Sequence, residues 1–184
     1  MLMFKPVKLN CFELVKEEVT RLMARYDTEP KYAIQLTLSN ETMNAVNSEL
    51  TAKGFSEVEP PLAFKKQNLF KEDYRHCHVD YGATTSLIMP IYGCENTTQY
   101  WYGGDYELTE INIPGNVMLY KVQWNRPGEF LTEVEIKDQP FLCRVSIPHS
   151  IKTITSPLRY RLTCTFRFVN KIPYDQACEL FDRN

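Results

Sequence analysis

Short segments rich in β-branched and aromatic residues follow one another through most of the chain from about residue 70 onwards. Turn-forming Gly, Pro, Asn and Asp separate them, which is typical of successive strands. We predict strands at residues 74–79, 84–91, 97–102, 117–124, 131–136, 141–147 and 158–169. Because no helical pattern falls between these segments, they favour an antiparallel sandwich or barrel over a parallel sheet with crossover helices.

The helical signals lie in the N-terminal third of the chain. Residues 11–26 place apolar side chains at a spacing close to 3.6, which predicts an amphipathic helix with Asn10 as its N-cap. Ser39 is the expected N-cap of a second helix over residues 41–53, and Gly54 would end it.

The length of 184 residues corresponds to one domain with a hydrophobic core of its own. We expect residues 1–69 to form a helical and strand region, with a short strand at 32–38, that packs on the sheet. Residues 70–170 would form the β core, and residues 171–184 a tail with one short helix.

Charge and cysteine usage limit the partners and the compartment. A formal net charge of −2 gives no electrostatic reason to expect a nucleic-acid backbone or an anionic membrane as partner. None of the six cysteines lies in a C-x-x-C pair, and the chain shows no signal-peptide pattern and no long apolar run. We therefore expect a reduced, cytoplasmic protein, in the host cell if the gene is viral.

The residues that suggest chemistry begin with a His-x-Asp pair. Strand alternation places His78 and Asp80 on one face, where an imidazole and a carboxylate can bind the same metal. His149, after a later apolar strand, is the expected third ligand. Two histidines and one carboxylate on one side of an ion leave coordination positions open, as an Fe(II) oxygenase requires for O₂ and a co-substrate.

Two arginines near the C-terminal end of the predicted core complete the pattern. Arg159 opens the last predicted strand, and Pro157 marks the turn that would return it to the neighbourhood of His149. A guanidinium inside an apolar barrel needs an anionic partner, and the distal carboxylate of 2-oxoglutarate would provide one. Arg161 shares the strand face of Arg159 and is the alternative anchor, with Thr163 as the neighbouring hydroxyl.

Between residues 74 and 168 the chain resembles the 2-oxoglutarate/Fe(II)-dependent dioxygenases, in the style of small hydroxylase-like members from phage and marine genomes. The resemblance implies a mainly β fold with N-terminal helices and a double-stranded β-helix, or jelly-roll, core. It also implies that His78, Asp80 and His149 hold Fe(II), and that Arg159 binds 2-oxoglutarate. The implied reaction hydroxylates a C–H bond with O₂.

Two positions modify this resemblance. Small relatives often have Asn where this chain has Ile88, so one polar contact near the co-substrate is absent or replaced. Tyr74 would lie on the strand face of His78 by alternation and reach the co-substrate.

Other interpretations of the same residues stay open. His76 and His78 form the H-x-H of a cupin-like metal site, although the Glu that normally follows is missing. His149 could be a structural turn residue after Pro148, and the core could be a jelly-roll binding module without catalysis. The sequence leaves the primary substrate open among a protein side chain, a small molecule and a nucleobase, and it leaves the oligomeric state open.

Overall fold

The computed structural model describes residues 2–26, 33–67, 74–95, 97–113, 117–153 and 160–183, and the structural statements below concern these residues. They form two antiparallel six-stranded sheets, with helices packed on the outside of one of them. None of the described helices is long and apolar enough to cross a membrane.

The first sheet lies between the helices and the second sheet. Strands are numbered in chain order, and the spatial order of this sheet is β1 (Phe4–Pro6), β10 (Phe141–Arg144), β5 (Thr85–Tyr92), β12 (Tyr160–Arg167), β3 (Leu62–Gln67) and β2 (Ala33–Gln35). Its central strands are buried on both faces, which explains the almost continuous apolar run of β5.

The second sheet forms the opposite wall. Its spatial order is β7 (Tyr106–Ile113), β8 (Val117–Trp124), β4 (His78–Asp80), β11 (His149–Thr153), β6 (Thr97–Gly103) and β9 (Glu129–Ile136). The edge strands β7 and β9 carry many exposed glutamates, and charged side chains on an edge discourage pairing with another chain.

The crossing pattern between the sheets defines a jelly roll. From β3 to β6 the chain alternates from sheet to sheet, and it does so again from β9 to β12. The order β3-β12-β5-β10 therefore faces the order β4-β11-β6-β9, which is a double-stranded β-helix with the β7–β8 hairpin added beside β4. The predicted fold class, mainly β with N-terminal helices and a jelly-roll core, is confirmed.

Two helices from the N-terminal region pack on the first sheet. Helix α1 (Phe12–Met23) buries the apolar stripe predicted for it, and helix α2 (Asn40–Ala52) begins at Ser39, whose side chain accepts a hydrogen bond from the backbone N–H of Thr42 as predicted. The prediction of Asn10 as the N-cap of α1 is wrong, because the cap residue is Cys11.

The beginning of α1 is instead capped from a distance. The carboxylate of Glu49, in α2, accepts hydrogen bonds from the backbone N–H groups of Asn10 at 2.8 Å and Cys11 at 3.0 Å. A local sequence pattern does not reveal a cap that comes from a neighbouring helix. Gly54 follows α2 with φ +88°, a conformation that favours glycine, and helix α3 (Tyr174–Asp182) forms the C-terminal tail.

Several strand predictions need correction. Residues 74–76 form a 3₁₀ turn instead of the first half of a strand, and the predicted strand 141–147 ends at Arg144. Strands β1, β3, β7 and β11 were not predicted, since charged residues and short length hide their alternation. None of the six cysteines forms a disulfide, and all are buried, as expected of thiols that act as small apolar side chains.

Candidate metal centre

The metal-binding group predicted from the sequence is brought together at the junction of β4 and β11. His78 and His149 lie directly opposite each other in adjacent strands, and Asp80 follows two residues later on the same face of β4. Asp80 Oδ1 lies 3.6 Å from His78 Nε2 and 3.8 Å from His149 Nε2. One ligand atom of each residue lies within 4.8 Å of the others, so the three side chains can share one metal ion.

Backbone contacts hold this group in place. The N–H of Asp80 donates to the carbonyl of Val145 at 3.1 Å, which ties β4 to the other sheet wall. The ring of His149 is oriented by Nδ1, which donates to the carbonyl of Ile147 at 2.9 Å. This tautomer leaves the lone pair of Nε2 on the side of Asp80, as a metal-binding histidine requires.

Burial makes the carboxylate sensitive to nearby charge. The side chain of Asp80 is only 10% exposed, and Arg167 Nη2 lies 3.8 Å from its Oδ2. Arg167 Nε and Nη2 make no hydrogen bond within the described part of the chain. Arg167 was not predicted from the sequence. Strand alternation along β12 nevertheless places Arg161 and Arg167 on the same face.

A cavity of about 730 Å³ lies between the two sheets and contains the His-Asp-His group. Two other residues predicted for the site, Arg161 and Thr163, also line it, and each is only 4% exposed. The structure therefore places a buried guanidinium and a hydroxyl in the same cavity as the metal-binding group. Arg159 lies outside the described residues.

The prediction that Tyr74 shares the strand face of His78 is wrong. The 3₁₀ turn breaks the alternation before β4 begins, and the ring of Tyr74 packs edge-on against Tyr102 and Trp124. Its carbonyl accepts a hydrogen bond from the Trp124 indole at 2.6 Å, which holds the turn in this conformation.

Other polar groups of the cavity were not singled out from the sequence. Thr165 lies directly opposite Ile88, so a hydroxyl stands beside the position where an Asn was expected from the resemblance. Gln99 is 1% exposed; its Nε2 donates to Cys143 Sγ at 3.0 Å, and its Oε1 has no hydrogen-bond partner among the described residues. Gln99 lies two residues before the buried Trp101 in β6, so strand alternation could have predicted that its side chain faces the interior between the sheets.

The cysteines near the cavity are neutral thiols. Burial raises the pKa of Cys143, and the nearby charge of Asp80 raises it further. Burial also raises the pKa of Cys94 to about 11, although the charge of Arg161 acts in the opposite direction. Thiolate is the form that binds metal, and neither sulfur belongs to the metal-binding group found among the described residues.

The lining residues differ sharply in exposure. Three of them, Arg75, His76 and Lys121, are exposed, whereas the metal-binding group lies deeper. His76 is not a member of the metal-binding group found among the described residues, so the H-x-H pair of a cupin-like site is not assembled in the structure.

Solved structures that align with most of this chain share little of its sequence. The sequence matches no protein-family model, and no curated protein matches it. Among solved structures, AviO1 from Streptomyces viridochromogenes Tue57 aligns with 94% of this chain and 92% of its own at 10% identity and a TM-score of 0.40. A Pseudomonas putida prolyl-4-hydroxylase aligns over 90% of both chains at 12% identity and a TM-score of 0.34. The fold assignment rests on the strand order of this chain itself.

Proposed function

We propose that the protein is an Fe(II)- and 2-oxoglutarate-dependent oxygenase that hydroxylates a C–H bond of a substrate not yet identified. The observation that carries the proposal is one cavity that contains both a His-Asp-His group and a buried arginine. A histidine pair with a purely structural role would need neither the cavity nor the buried Arg161 guanidinium that lines it.

The donor set fits Fe(II). Imidazole nitrogen and carboxylate oxygen suit this ion, and the absence of a thiolate from the group disfavours a structural zinc site. His78, Asp80 and His149 would hold the ion, which would supply O₂ activation with electrons from 2-oxoglutarate. The protein's own contribution is to orient the ligands through Ile147 and Val145 and to keep the other coordination positions accessible from the cavity.

Arg161 is the proposed anchor for 2-oxoglutarate. Its guanidinium can bind a carboxylate through two parallel hydrogen bonds, and the Thr163 hydroxyl lies two residues further along the same face of β12. Apolar side chains complete the wall, including Ile88, Phe141 and Val145, and they exclude water from the reacting groups.

The decisive experiment is an anaerobic titration of the purified protein with Fe(II) and 2-oxoglutarate. We expect the weak visible charge-transfer band of a chelated keto acid, and succinate formation once O₂ is admitted. The variants His78→Ala and Asp80→Ala should abolish both signals. Succinate formation that continues unchanged in either variant would rule out the assigned ligands.

A second pair of variants tests the anchor. Arg161→Leu should weaken 2-oxoglutarate binding by roughly 10- to 100-fold, because a hydrogen bond to a charged group contributes about 1.5–3 kcal/mol. Arg183→Leu is the matched control, since Arg183 is exposed at the end of α3 and pairs only with Glu179 among the described residues. Equal 2-oxoglutarate affinity in Arg161→Leu and the native protein would assign the anchor to another residue. A folded, metal-loaded protein without the band would favour a jelly-roll binding module that does not use 2-oxoglutarate.

A further inference from the structure

One part of the cavity wall is apolar and lies beside the metal-binding group. Four lining side chains without any hydrogen-bonding atom come from β3 and from the β7–β8 hairpin, and we call the space that they line the hairpin pocket: Phe64, Ile111, Ile113 and Leu119. All four belong to one apolar cluster that connects β3 in the first sheet with the hairpin in the second. The hairpin pocket therefore has a continuous apolar wall.

Strand pairing places this pocket next to the metal-binding group. Leu119 lies directly opposite Asp80 in the neighbouring strand, and Ile111 lies directly opposite Leu119. Residues that are directly opposite each other in a sheet project from the same face. One row across β4, β8 and β7 therefore begins at a metal ligand and continues into the cavity with two apolar side chains.

The residues proposed for 2-oxoglutarate lie in another part of the cavity. Arg161 and Thr163 belong to β12, which faces β11, whereas the β7–β8 hairpin lies on the other side of β4 from β11. Phe64 lies directly opposite Thr163 in β3 and stands at the boundary between the two parts. The hairpin pocket is therefore open to a second ligand while the co-substrate occupies its own site.

Packing between the hairpin and β3 does not by itself account for these side chains. Protein interiors fill space to the density of organic crystals, and side chains in a filled interior are buried. Phe64, Ile111 and Ile113 are only half-buried, although they line a cavity of about 730 Å³ between two sheets. Cavities of about 300–1,000 Å³ hold drug-sized ligands, which are much larger than 2-oxoglutarate. The volume therefore leaves room for a primary substrate.

The chemistry of the wall decides which group of a substrate fits this pocket. A charged or strongly polar group that leaves water for such a wall loses its hydrogen bonds and gains none. A hydrocarbon group gains in proportion to the apolar area removed from water, which amounts to about fourfold in affinity for each buried methylene. Protein cavities lined by Leu, Ile and Phe bind benzene for the same reason.

We propose that the primary substrate is a small molecule whose uncharged hydrocarbon group, aliphatic or aromatic, fills the hairpin pocket and thereby holds a C–H bond beside the metal centre. This inference rests on the proposed function and names the substrate class for it. Leu119 and Ile111 determine the specificity, because they are the apolar residues of the row that begins at Asp80.

The first test measures binding without turnover, on metal-free protein and on protein loaded with Zn(II) and 2-oxoglutarate. The probes are the primary alcohols butanol, hexanol and heptanol, together with hexanediol, which has a hydroxyl at each end and the same length as heptanol. Ligand-observed NMR titration should show an affinity that rises by about fourfold for each added methylene. Heptanol should bind roughly 10- to 100-fold more tightly than hexanediol, because the wall offers no partner to the second hydroxyl.

Variants in β7 decide whether the preference comes from the hairpin pocket. Ile111→Asn should remove most of the preference for heptanol over hexanediol. Leu108→Asn is the matched control, since Leu108 lies in the same strand but is 42% exposed on the opposite face, and it should leave the preference unchanged. Ile111→Phe keeps the wall apolar and fills the space, so it should abolish the gain from butanol to hexanol even if the asparagine variant does not fold.

The second test locates the probe relative to the metal. In anaerobic protein loaded with Mn(II) and 2-oxoglutarate, the paramagnetic ion accelerates the relaxation of nearby probe protons, and Zn(II)-loaded protein is the diamagnetic reference. We expect the methyl end of heptanol to relax faster than its hydroxyl end, because the hydrocarbon group lies beside the metal centre. Faster relaxation at the hydroxyl end would overturn the inference.

Three binding results would also overturn it: an affinity that does not rise with chain length, equal binding of heptanol and hexanediol, or a preference that persists in both Ile111 variants. A protein that binds the alcohols as expected but binds neither metal nor 2-oxoglutarate would contradict the proposed function and retain the apolar pocket. The two failures are therefore distinguishable.

Discussion

Arg167 contacts the metal-binding carboxylate of Asp80. Removing a residue that contacts a metal ligand usually weakens metal binding, but here we expect the removal of Arg167 to strengthen it. Without a metal, the guanidinium is the positive charge that the described structure places nearest the buried carboxylate. With a divalent ion bound, the same guanidinium is a like charge beside the metal. Arg167→Leu should therefore destabilise the metal-free protein and strengthen metal binding.

The magnitude follows from the geometry. Two unit charges 3.8 Å apart interact with about 4 kcal/mol at an effective dielectric constant of 20. Desolvation of the pair offsets part of this energy, and the distance is too long for a strong hydrogen bond. We expect the free energy of unfolding of the metal-free variant to fall by about 1–3 kcal/mol, and metal affinity to rise by about tenfold.

Urea unfolding without and with Zn(II), together with calorimetric metal titration, measures both quantities. Arg167→Lys keeps the charge and should remain close to the native protein. Arg183→Leu controls for the loss of a surface charge far from the cavity. If Arg167→Leu binds metal more weakly than the native protein, Arg167 acts by positioning Asp80, and the electrostatic reasoning is refuted.

Three further expectations concern stability and thiol chemistry. Glu49→Ala should lower the free energy of unfolding by about 1–2 kcal/mol in urea denaturation, because the N–H groups of Asn10 and Cys11 lose their acceptor; exposed Glu133→Ala is the control, and an equal effect of both would contradict the capping role. Burial by itself would raise the pKa of Glu18, but hydrogen bonds from Thr42 and Ser39 keep it below its ordinary value. A group with a lowered folded-state pKa stabilises the fold above its unfolded pKa, so Glu18→Gln should cost stability at neutral pH and progressively less as the pH falls through the folded-state pKa; a difference from the native protein that does not vary with pH would contradict this. A thiol reagent should modify the six buried cysteines only as fast as the protein unfolds, and rapid reaction of any of them in the native state would disprove their burial.

The predictions from sequence succeeded where the signal was local and repeated. Strand β8 has the predicted bounds, Val117–Trp124, and the Ser39 cap forms as expected. They failed where a distant residue decided the local structure. Glu49 replaces Asn10 at the start of α1, and the Trp124 indole donates to Tyr74 in a turn that had been predicted as a strand.

The sequence by itself determined the residues of the metal-binding group, because a His-x-Asp pair on a strand forces two ligand types onto one face. It also determined an antiparallel sandwich or barrel, because short strands without intervening helices leave few other ways to bury their apolar faces, and the family resemblance narrowed this to a jelly roll. Only the tertiary structure decided which charges surround that group, since Arg167 and Lys121 reach it from strands that are adjacent in space and distant in sequence. The pairing of β8 with β4 and the packing of β12 in the opposite sheet have no signature in any single segment, so the electrostatics of the cavity emerge only when the fold is complete.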